Sequence, residues 1–261
     1  SISQKVGIEK ISTMARRFGL GKYHDLPMSA VSRGVTPTRA WKQKSFDKAW
    51  LIGDTVNAGI GQGFVSASPL ELAVMTSRIA SGRNLLPRLI SRVNGVPVDA
   101  PEAPALEINA EALAQVRKGM FEVSNNRRGT AYAARIAEPT MAMAGKTGTS
   151  QVFSITTAER ESGIRRQDQL PWNRRDHALF VAFAPDTDPR YAVSIVVEHG
   201  GGGSSVAAPI ARDIILAAQN GGLPPVEAYP TSQRNRIESM IRTISDQIGP
   251  AAEPMTGRSR A

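Results

Sequence analysis

The chain has 261 residues, enough for one large domain or two small ones. Its hydrophobic content of 41% and charged content of 21% are close to globular averages, so a sizeable core is expected. The absence of cysteine excludes disulfides, thiolate catalysis and cysteine-based zinc sites. No stretch approaches about 18 consecutive apolar residues, so the sequence predicts no membrane span. The net charge of +9 is concentrated in residues 1–50, where ten Lys or Arg residues face three acidic ones.

The first predicted element is a helix over residues 8–18, separated by Gly7 from a short helical end before it. The chain therefore begins within a predicted helix, and its first residues resemble the interior of a domain rather than a signal peptide. We therefore expect it to be part of a longer protein. Residues 20–58 are rich in turn residues and show little periodicity, which predicts a long ordered loop region.

A second helix has clear start and stop signals. Ser68 suits its N-cap, Pro69 its first position and Glu71 the capping box, and Gly82 is expected to end it. The remaining predicted elements are a strand pair around Asn94-Gly95, a helix over 109–124, a strand around Lys146, an antiparallel hairpin of strands 177–184 and 191–198, and helices over 205–220 and 232–247. The last dozen residues are predicted to form a disordered tail.

The most informative segment is Lys-Thr-Gly-Thr, residues 146–149, on a predicted strand. Lys146 supplies a positive charge for a substrate carboxylate, and its field helps keep neighbouring groups deprotonated. Thr147 offers a hydroxyl to the same carboxylate, and Gly148 leaves room for an extended peptide at the strand edge. The N–H of Thr149 can help hold an oxyanion, a donor whose loss costs roughly 3 kcal/mol of transition-state stabilisation. The pattern favours an acyl-transfer site; the alternative is a surface turn.

Other segments of the chain occur in the order of a known family. They are Trp41–Lys44, Gly53–Thr55, Gly59–Gly63 with Ser68-Pro69, Gly119-Met120, Gly129–Ala131, Lys146–Phe153, Phe183–Pro185 and Glu198–Gly201. Together they resemble the transpeptidase domain of class B penicillin-binding proteins, and most closely penicillin-binding protein 2, over most of the chain. Lys-Thr-Gly is one of the three signatures of such serine enzymes.

The resemblance implies an α/β fold: a mainly antiparallel sheet packed by helices, forming an incomplete penicillin-binding transpeptidase (β-lactamase-like) domain. The Lys146 strand is expected at the sheet edge, lining a cleft. Residues 1–220 would be the C-terminal part of this domain, and 221–261 a partly disordered extension. Within the first part, 1–66 would form a helix and loop region, 67–138 helices with a hairpin insertion, and 139–220 the Lys-Thr-Gly strand, the final hairpin and a helix.

The resemblance also implies a function, D,D-transpeptidation in peptidoglycan cross-linking during cell-wall elongation, at the periplasmic face of the inner membrane. Lys146 and Thr149 would be catalytic. Thr147, Gly148, Ser150 and Gln151 would bind substrate. No metal and no organic cofactor is implied. The expected partners are peptidoglycan stem peptides, β-lactams as substrate mimics, the membrane-bound elongation machinery and the missing N-terminal half, but no nucleic acid.

Two segments imitate the other family motifs. Ser45–Lys48 matches Ser-x-x-Lys, the nucleophile motif, and Ser124–Asn126 matches Ser-x-Asn. We reject both, because Ser45 lies in a region that follows the second motif in the family. Ser124 is about 20 residues before Lys146, which leaves no room for a helical lobe. The nucleophilic serine, Ser-x-Asn and the membrane anchor are therefore expected outside this chain, which alone should be inactive.

Several other patterns do not support a different chemistry. The segment ending in Lys146-Thr147 lacks the first glycine of a phosphate-binding loop, because Thr140 stands there. The three histidines, His24, His177 and His199, have no metal-ligand spacing. The glycines at 200–203 suit either an anion cradle or a plain connector. Two alternatives remain open: a non-catalytic peptide-binding module, and a nucleic-acid binder that uses the basic first 50 residues.

Overall fold

The computed structural model describes residues 1–29, 31–153 and 167–248. The α-helices there are α1 (Ile2–Val6), α2 (Ile8–Arg17), α3 (Arg39–Phe46), α4 (Ile52–Ala58), α5 (Pro69–Ser81), α6 (Ala110–Asn125), α7 (Ala208–Asn220) and α8 (Arg234–Ile248). The strands are β1 (Arg92–Val93), β2 (Val96–Pro97), β3 (Ala144–Ser150), β4 (His177–Ala184) and β5 (Tyr191–Val197). Within these ranges no helix combines the length and apolar character needed to cross a membrane.

The main sheet contains β3, β4 and β5 in sequence order, and both pairings are antiparallel. Side chains alternate between its two faces. Phe180 lies on the face covered by α7, whereas Phe183 lies on the face covered by α5 and α6. Among the described residues, strand β3 forms one edge of this sheet, and it carries Lys146, which is paired with Val181. The predicted α/β fold with an antiparallel sheet is confirmed.

Residues that follow α7 belong to the same core as the sheet. Tyr229 and Ile237 are buried together with Phe180 and Leu216. The backbone N–H of Ala137 donates to the carbonyl of residue 228 at 2.7 Å, which ties this segment to the chain leading into β3. Helix α8 confirms the helix predicted over 232–247. The predicted disordered tail lies outside the described residues.

The start of α5 follows its sequence signals. The Ser68 hydroxyl accepts from the N–H of Glu71 at 3.3 Å, and the Glu71 carboxylate accepts from the N–H of Ser68 at 2.7 Å. The same carboxylate oxygen also accepts from the N–H of Gly34 at 2.8 Å. This fully buried carboxylate therefore caps a helix and fixes a distant segment together. The helix ends at Gly82, which has the left-handed conformation expected of a C-cap.

The prediction of a loop region over residues 20–58 is wrong in part, because α3 and α4 lie within it. Thr38 caps α3 by accepting from the N–H of Trp41 at 3.0 Å. The Asp54 carboxylate accepts from the N–H of Leu51 at 2.7 Å at the start of α4. These helices have 8 and 7 residues, about two turns each, which is too short to display a clear apolar period.

Candidate active site

Strand β3 has a buried beginning and an exposed end. Ala144 and Gly145 are buried, whereas the strand from Lys146 onward reaches the surface. A Cβ atom at Gly145 would lie only 2.4 Å from the ring of Phe180, so the core tolerates only glycine there. The Lys-Thr-Gly-Thr segment therefore begins where the strand leaves the core. A well-packed anchor precedes its exposed side chains.

Three polar side-chain groups meet at the start of the exposed part. Lys146 Nζ donates to the carbonyl oxygen of Thr147 at 2.8 Å and lies 3.5 Å from its hydroxyl oxygen. The Thr147 hydroxyl is 3.2 Å from the hydroxyl of Thr130. An ammonium group beside two hydroxyls offers several donors, which is the combination that a carboxylate accepts best.

Sequence reasoning did not place Thr130 among the site residues. It appeared only within one of the segments that resemble the family. Helix α6 positions it: the N–H of Ala131 donates to the carbonyl of Val123 at 3.0 Å, which folds the chain back on the helix end. The Asn125 amide donates to the carbonyl of Met143 at 2.9 Å and holds the same helix end against the approach to β3. One helix terminus therefore fixes both Thr130 and the beginning of the strand.

Gly148 lies where the sheet backbone approaches the turn before α7. A Cβ atom at Gly203 would lie 2.5 Å from the carbonyl oxygen of Gly148 and 2.4 Å from that of Leu179. A Cβ atom at Gly148 would itself lie 3.2 Å from Cβ of Leu179. The glycines of both segments thus permit close backbone packing. Close backbone packing therefore explains why residue 148 is a glycine, in addition to the predicted access for a peptide.

The other predicted site residues lie further along the strand. The carbonyl oxygen of Thr149 accepts from Gln62 Nε2 at 3.3 Å. Ser150 is exposed and pairs in register with His177, and Gln151 is exposed just after the strand. The structure therefore groups Lys146 and Thr147 with an unpredicted threonine, and it joins Thr149 to an unpredicted glutamine.

His177 and His199 connect the beginning of β4 with the end of β5. The N–H of His199 donates to Nδ1 of His177 at 2.9 Å, and Nδ1 of His199 lies 2.9 Å from the carbonyl oxygen of Arg175. The His199 ring also packs on Trp172 at 4.4 Å. Within the described ranges no group of three or more His, Cys, Asp or Glu residues could hold a metal ion.

The two segments that match the other family motifs, Ser45–Lys48 and Ser124–Asn126, lack the geometry of an active-site motif. Helix α3 ends at Phe46, and Asp47 has left-handed backbone angles, so Lys48 is not one helical turn above Ser45. Ser124 is fully buried within α6. Ser45 therefore lacks the lysine one turn away that its motif requires, and Ser124 is not accessible to a substrate.

Part of the positive charge in residues 1–50 is used within the fold. Lys42 is buried in an ion pair with Asp54, and this hydrogen bond lowers the pKa of the Asp54 carboxyl below its usual value. Burial of Asp54 opposes the shift but does not reverse it. Arg17 donates to the carbonyl of residue 107 at 2.7 Å. Lys42 is therefore not free to bind an external polyanion.

Comparison with known proteins defines the class of this domain. Residues 1–216 match the family model described as "Penicillin binding protein transpeptidase domain". The chain therefore belongs to the penicillin-binding protein transpeptidase family.

Its relatives include penicillin-binding protein 2 from several bacteria. The chain is 35% identical over 252 residues to peptidoglycan D,D-transpeptidase MrdA of Haemophilus influenzae, covering 94% of the chain and 38% of that protein. It is 33% identical over 232 residues to MrdA of Escherichia coli K12, covering 85% of the chain and 36% of that protein. The chain thus spans little more than a third of the length of these curated relatives.

Solved structures agree with this membership. Penicillin-binding protein 2 of Pseudomonas aeruginosa, in complex with WCK 5153, superposes with a TM-score of 0.69 and 35% identity over 87% of the chain and 48% of that protein. The Helicobacter pylori protein, in a complex with MreC, gives a TM-score of 0.69 and 30% identity over 84% of the chain and 37% of that protein. Both share the fold described above.

Proposed function

We propose that this chain supplies one side of the active site of a peptidoglycan D,D-transpeptidase that cross-links the cell wall during elongation. The observation that carries this proposal is the convergence of Lys146 Nζ with the Thr147 and Thr130 hydroxyls on an exposed strand end. Family membership supports the reaction class. In this reaction a serine Oγ attacks the carbonyl of a D-Ala-D-Ala amide, and the terminal D-alanine leaves as the amine. The amine of a second stem peptide then attacks the acyl-enzyme ester and releases the serine.

Each site residue has a proposed role. The terminal carboxylate of the stem peptide binds Lys146 and the Thr147 hydroxyl through charge-assisted hydrogen bonds. The N–H of Thr149 helps hold the oxyanion of the tetrahedral intermediate, where a single donor contributes roughly 3 kcal/mol. Gly148, Ser150 and Gln151 border the extended peptide. Because β3 is an edge strand, a peptide can reach this backbone directly.

The nucleophile and the Ser-x-Asn motif are proposed to come from a part of the protein outside this chain, since Lys48 is not one helical turn from Ser45 and Ser124 is fully buried. The chain alone is then inactive. Residues 1–220 form the proposed domain part and residues 221–261 an extension, of which Tyr229 and Ile237 are buried on the sheet core. We place the protein at the periplasmic face of the inner membrane, with peptidoglycan stem peptides, β-lactams and the elongation machinery as partners. The Helicobacter pylori relative was solved with MreC, which supports the last assignment.

Labelling with a fluorescent penicillin tests this proposal. The protein that includes the nucleophilic serine should give a labelled band that resists SDS, whereas the 261-residue chain alone should give none. A band from the chain alone that disappears in Ser45→Ala would show that Ser45 is the nucleophile. Absence of labelling in the serine-containing protein would favour the non-catalytic peptide-binding module.

A further inference from the structure

The outer side of β3 presents backbone groups to side chains instead of to another strand. In antiparallel pairing, alternate residues direct both N–H and C=O groups to the same side of the strand. The carbonyls of Thr147 and Thr149, two residues apart, accept from Lys146 Nζ at 2.8 Å and Gln62 Nε2 at 3.3 Å. In the described part of the chain, β3 pairs only with β4. The side that bears these two carbonyls is therefore the free edge, where an added peptide strand would bond.

Gln62 reaches this edge from a loop whose backbone is held at both ends. Its own N–H donates to the carbonyl of Asn57 at 2.9 Å, at the end of α4. Phe64, two residues later, packs against Trp41 and Phe46 at ring distances of 5.5 and 5.2 Å. The backbone is thus anchored while the side chain extends about three rotatable bonds towards β3. A change of side-chain rotamer is sufficient to release the Thr149 carbonyl without moving the loop.

We infer that Gln62 caps the free edge of β3 and is displaced by a backbone amide of the bound peptide, which takes its place on the Thr149 carbonyl. The inference rests on the proposed function, because it assumes that a stem peptide lies along this edge. The Gln62 amide and a peptide N–H are chemically equivalent neutral donors to the same acceptor. In the absence of substrate the cap satisfies an edge carbonyl and blocks unspecific strand pairing. In its presence the cap competes with the substrate.

The competition predicts a selective effect of removing Gln62. Exchanging one neutral hydrogen bond is expected to change affinity by about 2- to 10-fold. A ligand with an amide N–H at the position facing Thr149 should gain this factor in Gln62→Ala. A ligand with an ester oxygen there should gain nothing, since it has no hydrogen to donate. N-acetyl-D-alanyl-D-alanine and acetyl-D-lactyl-D-alanine form such a pair, identical except for this N–H.

Titration of the isotope-labelled 261-residue chain and of each variant with both probes, followed by NMR chemical shifts, measures the dissociation constants. We expect Gln62→Ala to bind the amide probe about 2- to 10-fold more tightly and the ester probe unchanged. Gln62→Met, which keeps the side-chain length but has no donor, should match it and guards against a folding defect in the alanine variant. Gln115→Ala, an exposed glutamine on α6, is the control and should change neither constant.

Three results would overturn the inference: equal changes for both probes, weaker binding of the amide probe, or no binding of either probe to the wild-type chain. The test is separable from that of the proposed function, because binding at the edge requires no serine. The expected change in affinity can be found while the serine-containing protein is not labelled by penicillin. In that case the proposed reaction is wrong, but the displacement of Gln62 by the peptide is supported.

Discussion

Two regions of the chain bury their apolar side chains to very different extents: the sheet region, which comprises strands β3–β5 and helix α7, and the first region, residues 1–66. In the sheet region, Phe180 and Ile215 are fully buried between the strands and α7. In the first region, Ile2 and Ile52 are 82% and 72% exposed. The sheet region therefore forms a hydrophobic core of its own, with helices on both faces. The first region leaves much of its apolar surface in contact with solvent.

Directional polar contacts, beside a few buried apolar side chains such as Ile8, hold the first region in place. Arg78 on α5 is almost fully buried, and its guanidinium donates to the carbonyls of Arg17 at 2.8 Å and Leu85 at 3.0 Å. The Ser12 hydroxyl donates to the carbonyl of Thr36 at 3.1 Å. Such contacts fix position, but each adds only about 0.5–1.5 kcal/mol to stability, or somewhat more when a charged group donates. Most of the stability should thus come from the sheet core.

The largest expected effect separates the two regions directly. Phe180→Ala removes a ring that is fully buried in the sheet core and should lower the free energy of unfolding by about 3–5 kcal/mol. Ile52→Ala removes an exposed side chain and should change it by no more than about 0.5 kcal/mol. Urea unfolding of both variants measures the difference. Similar losses would mean that the two regions contribute equally to the core.

A pH titration tests whether the segment after α7 belongs to the sheet core. Burial, together with the nearby charge of Asp213, raises the pKa of Tyr229 from 10.0 to about 12. Below pH 10 the phenol is protonated in both folded and unfolded states. Between pH 10 and 12 the unfolded state ionises first, so the free energy of unfolding should fall by roughly 2–3 kcal/mol.

Tyr229→Phe removes this titration. The difference in unfolding free energy between wild type and variant should therefore depend on pH only in that alkaline range. Parallel pH profiles for the two proteins would show that Tyr229 is solvated and that the segment is not docked.

Lys146 belongs to the sheet region but is exposed, so it should affect function without affecting stability. In the protein that includes the nucleophile, Lys146→Ala should lose a charge-assisted contact worth roughly 1.5–3 kcal/mol, about ten- to a hundred-fold in the acylation rate constant. Its free energy of unfolding should change by about 0.5 kcal/mol. Lys146→Arg should recover part of the rate, because the broader guanidinium keeps the charge but fits less well.

Second-order acylation by penicillin, beside a thermal melt of each variant, measures both quantities. Lys118→Ala, an exposed lysine on α6, is the matched control and should acylate at the wild-type rate. Wild-type acylation by Lys146→Ala would refute the site assignment, and unfolding of the variant would make Lys146 a structural residue.

Local signals explain what the sequence could predict. The capping box at Ser68 and Glu71 and the period of α6 depend on residues three or four apart, and both elements were predicted nearly to the residue. The site contacts are not local. Gln62 and Thr149 are 87 residues apart, and no periodicity or cap links them. Thr130 meets Thr147 only because α6 returns the chain to β3, which is a property of the tertiary fold.

The smallest effect on stability is expected at the exposed face of the first region, where α1 packs against α4. Ile2 on α1, Ile52 on α4 and Ile60 just after α4 are each more than 70% exposed. Exposed apolar patches favour association and bind hydrophobic dyes. The chain should therefore bind such a dye strongly or self-associate. Ile52→Ser and Ile60→Ser should each lower the dye fluorescence and shift the chain towards monomer, with a change of no more than about 0.5 kcal/mol in the free energy of unfolding.

Ile90→Ser, near the β1–β2 hairpin, is the control for this face, since Ile90 is an isoleucine that is 49% exposed and lies outside α1 and α4. If dye binding depends on the α1–α4 face, this variant should keep most of the wild-type signal, whereas the two face variants lose theirs. An equal loss in all three would mean that exposed apolar area anywhere binds the dye. A monomeric wild-type chain with a sharp melt and no dye binding would contradict the difference between the two regions. The first region would then bury its apolar side chains as completely as the sheet region.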